Sequence, residues 1–261
     1  MIAKFFDFSG RVAVVTGGGT GIGAATAMLL AKLGADVVIA GRRVDILETK
    51  TAQIVAETGR KCIAVPTDVR EEEQVTRLFE TVIRRLGRLD ILINNAGGTN
   101  MAPLKDVTSK VWKRTFALNV DSAYYCTQEA GKYFIPQRSG VIVNVSSMAG
   151  VHGTRSGAAY SASKAALQMF TRVAAAEWGQ YGIRINCVAP GMILGDQSTE
   201  HLRNSNIDID AATKVFPLGR AGKPEDIANA IVWFVSDAAA YVTGETLAVC
   251  GGPVLGGPKD M

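Results

Sequence analysis

Most of the short strand-like runs in this chain are apolar on both faces, not at alternate positions. The runs are 11–16 (RVAVVT), 36–40, 61–65, 89–93, 141–145, 183–188 and 246–249. An alternating strand has one wet face, whereas a strand apolar throughout is covered on both sides. Longer stretches with helical spacing separate these runs: 21–33, 44–58, 71–86, 109–134, 160–181 and 224–235. Strand and helix in alternation predict an α/β chain, doubly wound, with a parallel sheet of about seven strands. Helices then cover both faces through right-handed crossovers.

The chain has 261 residues, a length at which α/β folds commonly stay whole, so a single domain over 1–261 is expected. At 48% hydrophobic and 20% charged, it carries enough apolar surface to offset ordering entropy, which excludes disorder as the dominant state. The net charge of +4 is dispersed, without the long basic cluster of a nucleic-acid surface. Cys62, Cys126, Cys187 and Cys250 lie far apart with no paired histidines, so neither a metal site nor a disulfide framework is expected. Free thiols suit a cytoplasmic protein. Asp7 interrupts any leader-like apolar run, and no stretch of about 18 uncharged apolar residues exists to span a membrane.

One stretch stands apart from the alternation. Residues 196–210 (DQSTEHLRNSNIDID) are polar and without period, between Gly/Pro-punctuated apolar segments. A long loop of this kind reads as a substrate lid, around 192–216, against the plainer alternative of a surface insertion.

The first strand runs directly into Thr16-Gly17-Gly18-Gly19-Thr20-Gly21-Ile22-Gly23, which opens the first helix. Gly17, Gly21 and Gly23 let the backbone turn tightly, and the helix N-terminus offers N–H groups to a pyrophosphate. Strand, turn and helix in this order predict a Rossmann fold that binds a dinucleotide; the absence of a Gly-Lys-Ser/Thr ending argues against a P-loop. The second strand ends in Gly41-Arg42-Arg43, where a carboxylate would mark NAD. Two guanidinium groups match a 2′-phosphate instead, which favours NADP(H). The alternative is that both arginines are merely solvated. Asp68, beside Val69 after the third strand, is placed by analogy at the adenine amino group; its other reading is a helix N-cap.

Tyr160 and Lys164 stand four residues apart, on one face if helical. A nearby ammonium stabilises phenolate and should depress the phenol's pKa, making it a proton donor to a carbonyl or acceptor from an alcohol. Ser147, just past the strand at 141–145, could donate to the same oxygen.

Taken together, Thr16-Gly17-x-x-x-Gly21-x-Gly23, Asp68, Asn94-Asn95-Ala96-Gly97, Asn119, Ser147, Tyr160-x-x-x-Lys164 and Pro190-Gly191 resemble the short-chain dehydrogenase/reductase family over about residues 10–252. The resemblance implies that Tyr160 is the general acid in reduction and that Ser147 polarises the carbonyl. Lys164 would bind the nicotinamide ribose and tune Tyr160. Asn119 would hold a water in a proton relay, or simply mark a kink in its helix. Thr20, Ile22, Val69, Asn95, Ala96, Gly97, Pro190, Gly191 and Ile193 would join the cofactor-binding set. The chain departs from the family where a threonine often binds the carboxamide: Gly195 stands there. Ser198 or Thr199 would have to substitute, or Ile193 backbone groups act alone.

The segments 98–105, 148–157 and 192–216 would wall the substrate pocket, mixing Met101, Met148, Val151, Met192 and Leu194 with polar residues. His152 and His201 read more readily as structural or solvated than as ligands, and Lys105, Arg155 and Arg203 as surface charges. The resemblance points to a small-molecule carbonyl or alcohol, foremost a 3-oxoacyl thioester. Cyclic, sugar or steroid alcohols and enoyl thioesters follow, and a nucleotide-sensing scaffold is the non-enzyme alternative. It also implies a homo-oligomer, a tetramer before a dimer, packed through the two long helices and the last strand and helix. The Gly/Pro-rich tail 250–258 is a further candidate to cover the lid or a neighbouring subunit.

Overall fold

In this computed structural model, residues 2–195, 213, 214 and 216–252 are described. Most of the expected lid, with Ser198, Thr199, His201 and Arg203, and the tail beyond Gly252 lie outside them.

A 3₁₀ turn at Ile2–Phe6 precedes the first strand. Among the described residues seven strands form one sheet: β1 (Val12–Thr16), β2 (Asp36–Gly41), β3 (Cys62–Pro66), β4 (Ile91–Asn94), β5 (Gly140–Val145), β6 (Ile183–Pro190) and β7 (Thr246–Val249). Their order is β3-β2-β1-β4-β5-β6-β7. Every neighbouring pair is parallel, as expected. The strands are joined through α1 (Gly21–Lys32), α2 (Val44–Thr58), α3 (Glu72–Leu86), α4 (Ser109–Phe116), α5 (Ser122–Gln137), α6 (Ala149–His152), α7 (Ala158–Trp178) and α8 (Pro224–Val235).

Burial explains the uniformly apolar strands. Ala13, Val15, Val37, Ile39, Ile91 and Ile93 point into a core with Leu30, Leu47, Ile54, Ile231 and Phe234, from α1, α2 and α8. The intervening Val12, Val14, Val38, Leu92 and Ile142 face Phe79, Val82, Phe134 and Ala174, from α3, α5 and α7. Period-two alternation therefore sends each strand into two dry cores instead of one.

The stretch expected as a single helix at 109–134 is instead two helices joined by a π-helical turn at Ala117–Asp121. The extra residue in that turn has no signature in hydrophobic spacing, and such turns gather at functional sites. A ladder of buried amides ties the sheet centre to the second helical layer. Asn94 Nδ2 donates to Asn144 Oδ1 at 2.9 Å and Thr127 Oγ1 at 3.2 Å, and Asn144 Nδ2 donates to Thr171 Oγ1 at 2.8 Å. The strand order reverses direction between β1 and β4, and a crevice opens there at the strands' C-terminal ends.

Candidate active site

That crevice is a cleft of about 340 Å³ floored by the first turn of the fold. Gly17, Gly19, Thr20 and Ile22 line it from below, Arg42 and Arg43 from β2, Thr67, Asp68 and Val69 from β3, and Asn95, Ala96 and Gly97 from β4. Gly21 and Ile193 line an adjoining cleft.

Two glycines are demanded by close approach. Gly17 adopts φ +65°, and a Cβ there would fall 2.8 Å from Asn95 Nδ2. A Cβ on Gly23 would lie 2.3 Å from the Gly17 carbonyl oxygen, closer than real atoms allow. Thr20, the N-cap of α1, makes no side-chain capping bond, so the helix N-terminus faces the cleft with its dipole unopposed. Thr16 Oγ1 accepts from the Asn95 and Ala96 N–H groups, both at 3.0 Å, and Asn95 Nδ2 donates to the Thr16 carbonyl at 2.9 Å. Asn95 thus straps the β4 exit to the glycine turn. Thr16 opens the glycine-turn motif in the sequence, but no role followed for it there, because a threonine ending a strand has no distinctive pattern of its own.

At the adenosine end, Arg42 and Arg43 are exposed and make no ion pair among the described residues. Asp68 is held by Arg70, whose Nε donates to Asp68 Oδ1 at 2.9 Å, and that hydrogen bond keeps its carboxyl below the usual range. The N-cap reading of Asp68 is not what forms: Glu71 stands at the N-cap position of α3, without a side-chain capping bond. Gly41 faces the cleft at the end of β2, and Thr67 and Leu118 face it too, both beyond what local sequence signalled. This cradle of backbone, positive dipole and unpaired guanidinium fits a phosphate-bearing dinucleotide.

The Tyr160 face of α7 meets the end of β5. Tyr160 is half-buried, and burial pushes its phenol up, while the hydrogen bond from Ser147 works the other way. Lys164 is buried; its Nζ lies 5.8 Å from the Tyr160 ring centroid and donates to the Val145 carbonyl at 2.8 Å. Desolvation pushes the ammonium down to about 8. The expected depression of the Tyr160 pKa by Lys164 is not what this arrangement gives: burial raises the phenol, Ser147 opposes it, and the Lys164 ammonium is turned to a backbone oxygen and is itself desolvated.

Asn119 sits in the π-helical turn, fully buried. Its Oδ1 accepts from Gly98 N–H at 3.0 Å, and its Nδ2 donates to Gly98 O at 3.0 Å and Ser163 Oγ at 3.1 Å. The distortion expected as the alternative role of this residue is thus present. Oδ1 and the Lys164 ammonium both flank Gly97, at 3.0 and 3.1 Å from where its Cβ would be.

Pro190 ends β6 and Gly191 follows it, and the Pro190 carbonyl accepts from Met148 N–H at 2.9 Å. Leu194 N–H donates to Gly222 O, and Gly222 N–H to Met192 O, both at 2.9 Å, which pins the two stems of the expected lid together. Gly195 lies near the glycine turn; a Cβ there would be 3.9 Å from Gly21 Cα. His152 ends the short helix α6 and is exposed. Among the described residues, no group of three or more His, Cys, Asp or Glu is arranged to hold a metal ion. None of their helices is long and apolar enough to cross a membrane.

A family model described as enoyl-(acyl carrier protein) reductase matches residues 17–253. A 3-oxoacyl-(acyl-carrier-protein) reductase of a Synechocystis species is 36% identical over 247 residues, covering 94% of this chain and 97% of that protein. A cis-4-hydroxycyclohexanecarboxylate dehydrogenase of Sinomonas cyclohexanicum is 39% identical over 249 residues, covering 94% and 97%. The crystal structure of an NAD+-bound xylitol dehydrogenase is 31% identical with a TM-score of 0.89, covering 94% of this chain and 99% of that one.

Proposed function

The chain belongs to the short-chain dehydrogenase/reductase family, and from that premise we propose that it is an NADP(H)-dependent ketone reductase with a 3-oxoacyl thioester as its substrate. Membership makes it an oxidoreductase that works with a nicotinamide cofactor. The observation that carries the finer reading is the convergence of Tyr160, Ser147 and Lys164 beside a cleft whose far end presents Arg42 and Arg43.

The cofactor supplies the hydride, and the protein supplies place and proton. Gly17, Thr20, Gly21, Ile22 and Gly23 would cradle the pyrophosphate, with Arg42 and Arg43 on the 2′-phosphate. Asp68 and Val69 would meet the adenine, and Asn95, Ala96 and Gly97 its ribose. Pro190, Gly191 and Ile193 would border the nicotinamide. Ser147 Oγ donates to the substrate carbonyl, and Tyr160 Oη gives it a proton as the carbon is reduced. A phenol kept protonated by burial suits that direction at neutral pH. Lys164, which donates to the Val145 carbonyl here, would hold the ribose hydroxyls, and Asn119 would order the water that returns a proton. We place the whole in a single cytoplasmic domain that assembles into a homotetramer, with residues 192–216 as its lid.

The Sinomonas relative favours a second reading, oxidation of a cyclic alcohol, and the family model's description favours an enoyl thioester as a third. The test is consumption of NADPH beside NADH against a β-ketoacyl thioester, an enoyl thioester, a cyclic ketone, a keto-sugar and a steroid ketone. Turnover on the ketoacyl thioester with NADPH supports the proposal; turnover confined to another member of the panel replaces the substrate. Tyr160→Phe is expected to lose turnover while still binding cofactor. A Tyr160→Phe enzyme at full speed would sink the mechanism, and a wild-type protein that binds cofactor but turns over nothing would favour a sensing scaffold.

A further inference from the structure

Tyr160 and Lys164 ride on a rigid helix, whereas Ser147 lies just past β5, between Ser146 and Met148, whose N–H groups donate to Val188 O at 2.8 Å and Pro190 O at 2.9 Å on β6. A shift of about 1 Å between such groups can cost on the order of a hundredfold in rate, so something must fix one to the other. Gln168 is on α7, one turn past Lys164, and its side chain crosses to the Ser147 segment. Its Nε2 donates to the Ser147 carbonyl at 3.1 Å and to Ser146 Oγ at 3.0 Å. Ser146 Oγ in turn donates to the Lys164 carbonyl at 2.9 Å.

Packing closes the same seam. A Cβ on Gly150 would fall 2.7 Å from the Lys164 carbonyl carbon and 2.8 Å from both Ala165 N and Gln168 Nε2. The α6 segment is therefore pressed onto α7 where Gln168 reaches across. Ala149 N–H donates to Ser147 Oγ at 3.1 Å, so the hydroxyl's direction depends on how this segment sits. An amide nitrogen has two N–H groups, and both are used here on the Ser146-Ser147 pair. Lys164 Nζ holds the same strand end two residues earlier, at the Val145 carbonyl at 2.8 Å, while Gln168 reaches the Ser147 carbonyl itself.

We propose that Gln168 is a positioning residue for this reaction: it clamps the Ser147 peptide onto α7 and so aims the Ser147 hydroxyl at the carbonyl that Tyr160 protonates. The inference rests on the roles proposed for Tyr160 and Ser147 above.

The experiment compares wild type, Gln168→Met, Gln168→Glu and Tyr160→Phe on the ketone of fastest turnover, with NADPH affinity measured by fluorescence titration. Met keeps the length of Gln and loses both donors. Gln168→Met is expected to lower kcat by roughly 10- to 100-fold while NADPH affinity stays within about twofold. Gln168→Glu sets a carboxylate against the Ser147 carbonyl, and its reductive kcat should recover as pH falls and the protonated carboxyl donates. A kcat for Gln168→Met within about twofold of wild type overturns the clamp, as does a loss matched by an equal loss of NADPH affinity. If Gln168→Met does not fold, Gln168→Glu decides, and a wild-type pH profile of its reductive kcat overturns the proposal. Full turnover by Tyr160→Phe removes the underlying mechanism instead; full turnover by Gln168→Met beside an inert Tyr160→Phe removes only the clamp.

Discussion

At the scale of single residues, the cleft's chemistry turns on two environments that can be altered separately. Gly41 ends β2 where an NAD-preferring chain would place a carboxylate. A Cβ there would meet only Leu47 methyls, at 3.6 and 4.0 Å, so Gly41→Asp is accommodated without strain. The new carboxylate would repel a 2′-phosphate and compete for Arg42. A charge-assisted hydrogen bond is worth about 1.5–3 kcal/mol, so the NADPH-over-NADH ratio of kcat/KM should fall by roughly 10- to 100-fold. An unchanged ratio would mean that the phosphate is held elsewhere. The second environment is that of Tyr160. Burial raises its pKa, so the neutral phenol persists through neutral pH. Reduction needs that protonated form and should be level there, falling only in alkali. Oxidation needs the phenolate and should climb with pH across the alkaline range. Rate profiles in both directions from about pH 6 to 10 check the sign; a level oxidation limb would remove Tyr160 as the base.

Elements decide how far those residues can be trusted to stay in place. Tyr160 and Lys164 were legible because a four-residue spacing on a helix needs only local geometry to bring them to one face. Asn119 was legible as a residue, but its π-helical turn was not, since one inserted residue leaves the apolar spacing of α4 and α5 almost untouched. The link between Gln168 and Ser147 was invisible for another reason: its partners belong to different elements, and no periodicity reports a side chain that spans them. The opposite end of the sheet has a similar unannounced device. Arg184 of β6 donates to the carbonyls of Phe234, Val235 and Ser236 at 2.6, 3.2 and 3.1 Å, closing the C-terminus of α8. A cation at that end also answers the helix dipole. Arg184→Ala should cost about 2 kcal/mol of unfolding free energy, read as a lower urea midpoint, with kcat per folded molecule preserved. A loss of kcat at full stability would tie this end of the sheet to catalysis and contradict the argument.

Across the whole molecule, the proposed assembly has a physical motive on the second helical layer. Met169 and Val173 on α7 are 56% and 49% exposed, and Tyr124 on α5 is 45% exposed. Tyr124 also packs edge-on against Phe170, with ring centroids 6.3 Å apart. A ridge of such side chains loses free energy to water unless a partner covers it. The chain should therefore sediment as a multiple of 27.6 kDa, and Met169→Glu with Val173→Asp should shift it toward smaller species. A wild-type monomer at micromolar concentration would refute the assembly. Sequence by itself determined the parallel sheet, the helices on both its faces and the glycine turn, because those follow from which faces must be dry and where a backbone must bend. It also placed the Tyr160–Lys164 pair, a matter of pitch alone. Only the tertiary structure decided the environment of Tyr160, where burial raises the phenol against the hydrogen bond from Ser147, and the hydrogen bonds from Gln168 to Ser146 and Ser147. Both depend on what distant segments exclude or touch, and desolvation and cross-element hydrogen bonds have no period along a chain.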